Sequence, residues 1–150
     1  MAYLIFFALI GLGLIAIVSS TRWRLCKDIM SKLNLSNFAV YENKLVCASA
    51  QLKTGQTLAI PMDCSVIINE QEMHLIPYKF KLSLFMTDFP FSFYKKHNKK
   101  IKVLRSEYTE IIFEAAKKDA SIFGKMFEVT IRVHNQKEKT EILRKIKKWR

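Results

Sequence analysis

The first 21 residues of this chain carry no charged side chain, and residues 2–18 (AYLIFFALIGLGLIAIV) are apolar at every position. As a helix rising about 1.5 Å per residue, such a segment is roughly 30 Å long, the thickness of a bilayer's hydrocarbon core. After Thr21, charge returns at ordinary density. The chain therefore reads as one transmembrane helix (residues 1–21), a juxtamembrane stalk (22–37) and a single soluble domain (38–150). The stalk has apolar residues at 25, 29, 30, 33 and 35, close to helical spacing, so it extends the membrane helix as a short amphipathic segment.

Charge placement predicts the orientation. A cleaved signal wants a basic stretch before its apolar run, and Met1-Ala2-Tyr3 supplies none. Arg22, Arg24 and Lys27 follow the run instead. By the positive-inside rule the N-terminus lies outside and the soluble domain is cytoplasmic, in a single-pass protein of the cell (inner or plasma) membrane. Trp23 and Tyr3 suit the two interfaces. The alternative is a signal peptide cut after Ser20, which would release a secreted domain.

Lys and Arg outnumber Asp and Glu by 25 to 13, and the excess lies wholly beyond residue 21. Basic residues near an anionic leaflet are each drawn to it by about 1 kcal/mol. Two stretches concentrate them. One is 89–102 (FPFSFYKKHNKKIK), with Lys95, Lys96, Lys99 and Lys100; the other is the chain's last turns, with Arg144, Lys145 and Lys148. Together with Arg22 and Arg24, these are the candidate contacts for anionic lipid headgroups or a membrane-protein partner. The plainer reading makes Phe89, Phe91 and Phe93 core residues and the lysines a solvated hairpin tip. Nucleic acid ranks last, because no stacking platform or helix-turn-helix pattern accompanies the charge.

Chemistry is hard to find. Cys26, Cys47 and Cys64 are odd in number and form no CxxC pair, which fits neither a disulfide framework nor a zinc site. They read as small, buried thiols in a reducing compartment, although a juxtamembrane cysteine such as Cys26 is also a place for S-acylation. His74, His97 and His134 are scattered, and there is no P-loop, GxGxxG or GxSxG. The expectation is a binding module, not an enzyme, with no cofactor. The competing expectation is a small ligand-binding or enzymatic β-barrel whose site is assembled by the fold.

Beyond residue 38 the texture is that of strands. Residues 79–86 alternate cleanly, Phe89, Phe91 and Phe93 keep the same period, and Phe127, Val129, Ile131 and Val133 form a second clear alternation. Turn-like segments fall at 42–44, 53–56 and 69–72, and two separate strands are expected at 57–62 and 65–68. Residues 108–116 read as a strand with some helical character. The last segment, 136–150, changes period: Ile142, Leu143, Ile146 and Trp149 share one helical face. Asn135 with Glu138 is a capping pair, and the acids sit early and the bases late, as the helix dipole favours.

Several short antiparallel strands closed by one C-terminal amphipathic helix resemble the pleckstrin-homology-like (PH-like) domain. Residues 38–150 carry the resemblance, through element order, the two alternating strands and the apolar face with Trp149. It implies a small bacterial membrane-anchored protein and an antiparallel barrel of about seven strands capped by the final helix. Phosphoinositide binding is not implied, because between Leu45 and Met62 the only basic residue is Lys53. Another small β-barrel, or an α+β sheet with a packed helix, would show the same pattern.

Overall fold

The computed structural model describes residues 2–51, 57–77, 90–97, 102–121 and 124–149. Helix α1 (Ala2–Lys32) is one unbroken element, roughly 46 Å long, that runs straight through the end of the apolar segment. Side chains 3–10 are all exposed, and only 6% of its most apolar 18-residue window is buried. A core helix of a soluble protein would be covered by its neighbours. This one is long and apolar enough to cross a membrane and stands bare.

A 3₁₀ turn, Leu35–Asn37, follows, with Asn34 Oδ1 accepting from the Ser36 amide (3.3 Å) and hydroxyl (2.7 Å). Among the described residues seven strands come next: β1 (Ala39–Gln51), β2 (Thr57–Ile68), β3 (Glu72–Pro77), β4 (Phe91–Tyr94), β5 (Lys102–Ser106), β6 (Glu110–Ser121) and β7 (Gly124–Arg132). Helix α2 (Gln136–Lys147) closes the domain. The strands form one antiparallel sheet in the order β4-β3-β2-β1-β7-β6-β5. β1 is thus central, with an up-and-down meander on either side. The sheet curls, so that β4 comes near β6. The α+β layout expected from the sequence is the layout found.

Period-two alternation sets which face is buried. Val46 and Ala48 of β1, Met62, Cys64, Val66 and Ile68 of β2, Met73 and Leu75 of β3, and Phe91 and Phe93 of β4 point inward. Ile111, Phe113 and Ala115 of β6 and Val129 and Ile131 of β7 meet them. Ile142, Ile146 and Trp149 of the C-terminal segment close this core, and Leu143 packs half-buried beside it. Of the stretch 108–116, residues 110–116 are strand, with Ile111, Phe113 and Ala115 entering the core, and 108–109 form a bend before it. The alternating stretch 79–86, Phe89 and the expected turn at 53–56 lie outside the described residues.

Two local expectations are corrected. Residues 42–44 are not a turn between strands; β1 runs through them with a bulge. Tyr41 pairs with Val66 and Lys44 with Cys64, so two residues oppose one, and Asn43 takes up the extra length at φ 54°. Asn tolerates that left-handed conformation better than most side chains. Likewise 57–62 and 65–68 are one strand, β2. Pro61 sits within it opposite Cys47 of β1, and among the described residues β3 pairs with β2 from Cys64 to Ile68.

The bulge has a purpose in packing. Positions 41 and 44 would face opposite ways in a regular strand; the extra residue turns both inward. Tyr41 Oη then lies 3.1 Å from Glu141 Oε2, and Lys44 Nζ 2.7 Å from Glu138 Oε2, on successive turns of α2. Lys44 is only 2% exposed. The helix start is built as expected: Asn135 Oδ1 accepts from the Glu138 amide at 2.9 Å.

Candidate functional site

The successive contacts of α1 give the domain a near and a far end. On leaving the apolar run, α1 lays Trp23, Cys26, Ile29, Met30 and Leu33 against the outer face of the sheet, where Ile67 and Ile76 point outward. Trp23 and Cys26 stand by Ser65, Ile76 and Pro77. Phe38, beyond the helix end, lies against His74 with its ring tilted by 60°, ring centres 5.9 Å apart. β3 therefore runs from the far end at Glu72 back toward the apolar half of α1 at Pro77, roughly 17 Å in five steps. The β2–β3 turn, 69–71, marks the far end.

That far end gathers charge from three parts of the chain. Asn69 Oδ1 accepts from the amides of Gln71 (2.7 Å) and Glu72 (2.9 Å), fixing the turn, and its carbonyl accepts from Trp149 Nε1 at 3.1 Å. This anchors the end of α2 beside the turn. Lys148 Nζ then reaches Glu70 Oε1 at 2.5 Å, and Lys95 Nζ donates to the Lys148 carbonyl at 2.7 Å. The Lys95 amide donates to the Gln71 carbonyl at 2.7 Å. Lys148, hydrogen-bonded to Glu70, holds that carboxyl below its ordinary range, with Lys145 and Lys95 adding to the effect. Lys96 stands over the Tyr94 ring at 5.8 Å. Arg144 and Lys147 are exposed on the adjoining face of α2.

The structure thus brings Lys95, Lys96, Lys145 and Lys148 to one end of the domain, with Arg144 alongside. Lys99 and Lys100 lie outside the described residues. Arg22 and Arg24 stand elsewhere, on α1: Arg22 is buried at 4% exposure and Arg24 is exposed. Sequence spacing grouped the two basic stretches only by composition. Glu70, which ties them together, has no signal in the sequence beyond its place in a turn.

The thiols do not make a reactive site. Burial, with Asp63 adding to it, pushes Cys64 up to about 12, and burial raises Cys47 as well, so both remain thiols at neutral pH. Cys26, considered above for acylation, is 3% exposed and packs with Ile67 and Ile76 in the α1–sheet joint. His74 is buried, with Nδ1 2.8 Å from Ser92 Oγ and Nε2 3.3 Å from Glu72 Oε2. Burial lowers its pKa, and Glu72 opposes that shift. Among the described residues, no three His, Cys, Asp or Glu side chains gather as metal ligands would. Comparison with known protein families and with characterised proteins finds no match to this chain.

Proposed function

We propose that the chain is a non-enzymatic, single-pass membrane-anchored module that binds the acidic surface of a partner protein. In this reading α1 crosses the cell membrane and Arg22, Arg24 and Lys27 keep the sheet domain in the cytoplasm. The meander on both sides of β1 and the helix over one end support a PH-like scaffold, used here to hold a partner. The inward side chains named above are buried and, Lys44 and the Tyr41 hydroxyl aside, apolar, which counts against a ligand held inside the sheet.

One observation carries the choice of partner: the basic cluster lies at the end of the domain remote from the apolar half of α1. Charges separated from the host leaflet by more than a Debye length, about 8 Å at physiological ionic strength, are largely screened from it. The near-to-far distance along β3 alone is roughly twice that. The lysines are therefore placed to meet something in solution or on a neighbouring protein, and the anionic leaflet of the host bilayer becomes the weaker partner.

A photo-crosslinking residue in place of Arg144, in the full chain in its native membrane, tests this. The expected result is a discrete protein adduct that is lost at high salt and lost in K96Q/K145Q/K147Q. Adducts to lipid alone would return the basic end to the bilayer. A reporter fused after Arg150 checks the orientation, and an external signal would overturn the cytoplasmic placement.

A further inference from the structure

The joint between α1 and the sheet is not closed. A groove of about 340 Å³ remains, lined by Trp23, Cys26, Lys27 and Met30 of α1 and by Glu42, Ile76 and their neighbours on the sheet. Its walls are apolar, whereas Lys27 and Glu42 are exposed and bring one positive and one negative charge to it. Lys27 Nζ is held over the Trp23 ring at 5.7 Å from its centre. We infer that this groove seats the headgroup of a zwitterionic phospholipid with a primary amine, its phosphate on Lys27 and its ammonium on Glu42.

Depth, size and charge support that occupant. If the uncharged run of 21 residues fills the hydrocarbon core, Trp23 lies roughly 3 Å and Lys27 roughly 9 Å beyond it, which is headgroup level. A phospholipid is present there at very high local concentration. The volume is at the low end of the roughly 300–1,000 Å³ of small-molecule sites. It takes a headgroup and glycerol, with the acyl chains leaving along α1 into the bilayer. Trp23, Met30 and Ile76 offer apolar contact to the glycerol and first methylenes. A purely anionic headgroup would leave Glu42 facing a like charge. A quaternary choline has no N–H to donate to a carboxylate, whereas a primary ammonium has three.

This inference rests on α1 spanning a membrane. The test uses the full chain in nanodiscs of equal phosphatidylethanolamine and phosphatidylcholine, with retained lipid read by native mass spectrometry. One ethanolamine lipid per chain is expected, kept severalfold over choline. Glu42→Gln should abolish that preference, and Lys27→Gln should lower retention of both lipids. Equal retention of both lipids by the unaltered chain, or an unchanged preference in Glu42→Gln, overturns the inference. Both residues are exposed, so folding is preserved, and hydrogen exchange in β1 and β2 verifies it. A chain that enters nanodiscs and keeps no lipid defeats the inference alone. A chain that stays out of nanodiscs defeats the membrane reading as well.

Discussion

The two helices meet the same sheet in opposite ways. α2 and the turn after it cover the inward face with Ile142, Ile146 and Trp149, joined to a cluster that draws on six strands, and are tied down by Lys44–Glu138 and Trp149–Asn69. α1 rests on the outward face over a thin cluster centred on Cys26, Ile67 and Ile76, and leaves a groove beside it. One contact completes a core; the other is an attachment. A domain can lose part of an attachment and remain folded, but it cannot lose its closing helix.

The contrast makes graded predictions for unfolding of the full chain in detergent. Trp149→Ala should cost about 4 kcal/mol, because it empties a fully buried site and strands the Asn69 carbonyl. Glu138→Ala should cost about 3 kcal/mol by leaving Lys44 buried and unpaired, whereas Lys44→Met, which removes that charge, should cost about 1 kcal/mol or less. Equal losses from those two variants would show that Lys44 reaches water. Ile76→Ala should cost about 2 kcal/mol and show mainly as faster hydrogen exchange in residues 26–33, with the sheet core unchanged. Asn135→Ala should cost about 1 kcal/mol through the lost cap.

The smallest effect separates the two contacts by pH. His74, beside Phe38, has a pKa depressed by burial, so the folded state favours the neutral ring. Its contribution is complete above the ordinary value of about 6.5 and is lost as pH falls below it toward the folded value. The α1 joint should therefore loosen first on acidification. Partial burial alone would raise the Glu138 carboxyl, but hydrogen bonds from Lys44 and the His134 amide outweigh this and lower it. Its contribution is complete above the ordinary carboxylate value of about 4.3 and is lost below that. Hydrogen exchange followed from pH 7 to 4 should show α1 residues 26–33 yielding before α2. Simultaneous loss would erase the distinction.

What was legible in the sequence was whatever depended on local periodicity. The apolar run, the alternation of 127–133, the apolar face of α2 and its Asn135 cap all follow from spacing and short-range hydrogen bonding. The turn expected at 42–44 failed because Lys44 answers to Glu138 of α2, almost a hundred positions away, and no local rule contains that partner. The break expected between 57–62 and 65–68 failed for a similar reason: Asp63 and Cys64 pair with Leu45 and Lys44 of β1, a partner that local composition does not reveal. The helical spacing of 25–35 was visible, but nothing marked Ile67 and Ile76, on the outer face, as its seat. The basic residues were identified as a class. Their position at the end of the domain remote from the apolar half of α1 required the direction of β3, which only pairing supplies.

The central place of β1 has a consequence for how the protein is made. β1 pairs with β2 across a short connection, but its other edge pairs with β7, Val46 meeting Ile131 some 85 residues later. At about 5–20 residues per second, that edge waits roughly 4 to 17 seconds on the ribosome for its partner. During that interval the nascent chain presents an open strand edge and half a core. An α1 inserted as proposed would hold that open edge beside the bilayer until β7 emerges to cover it.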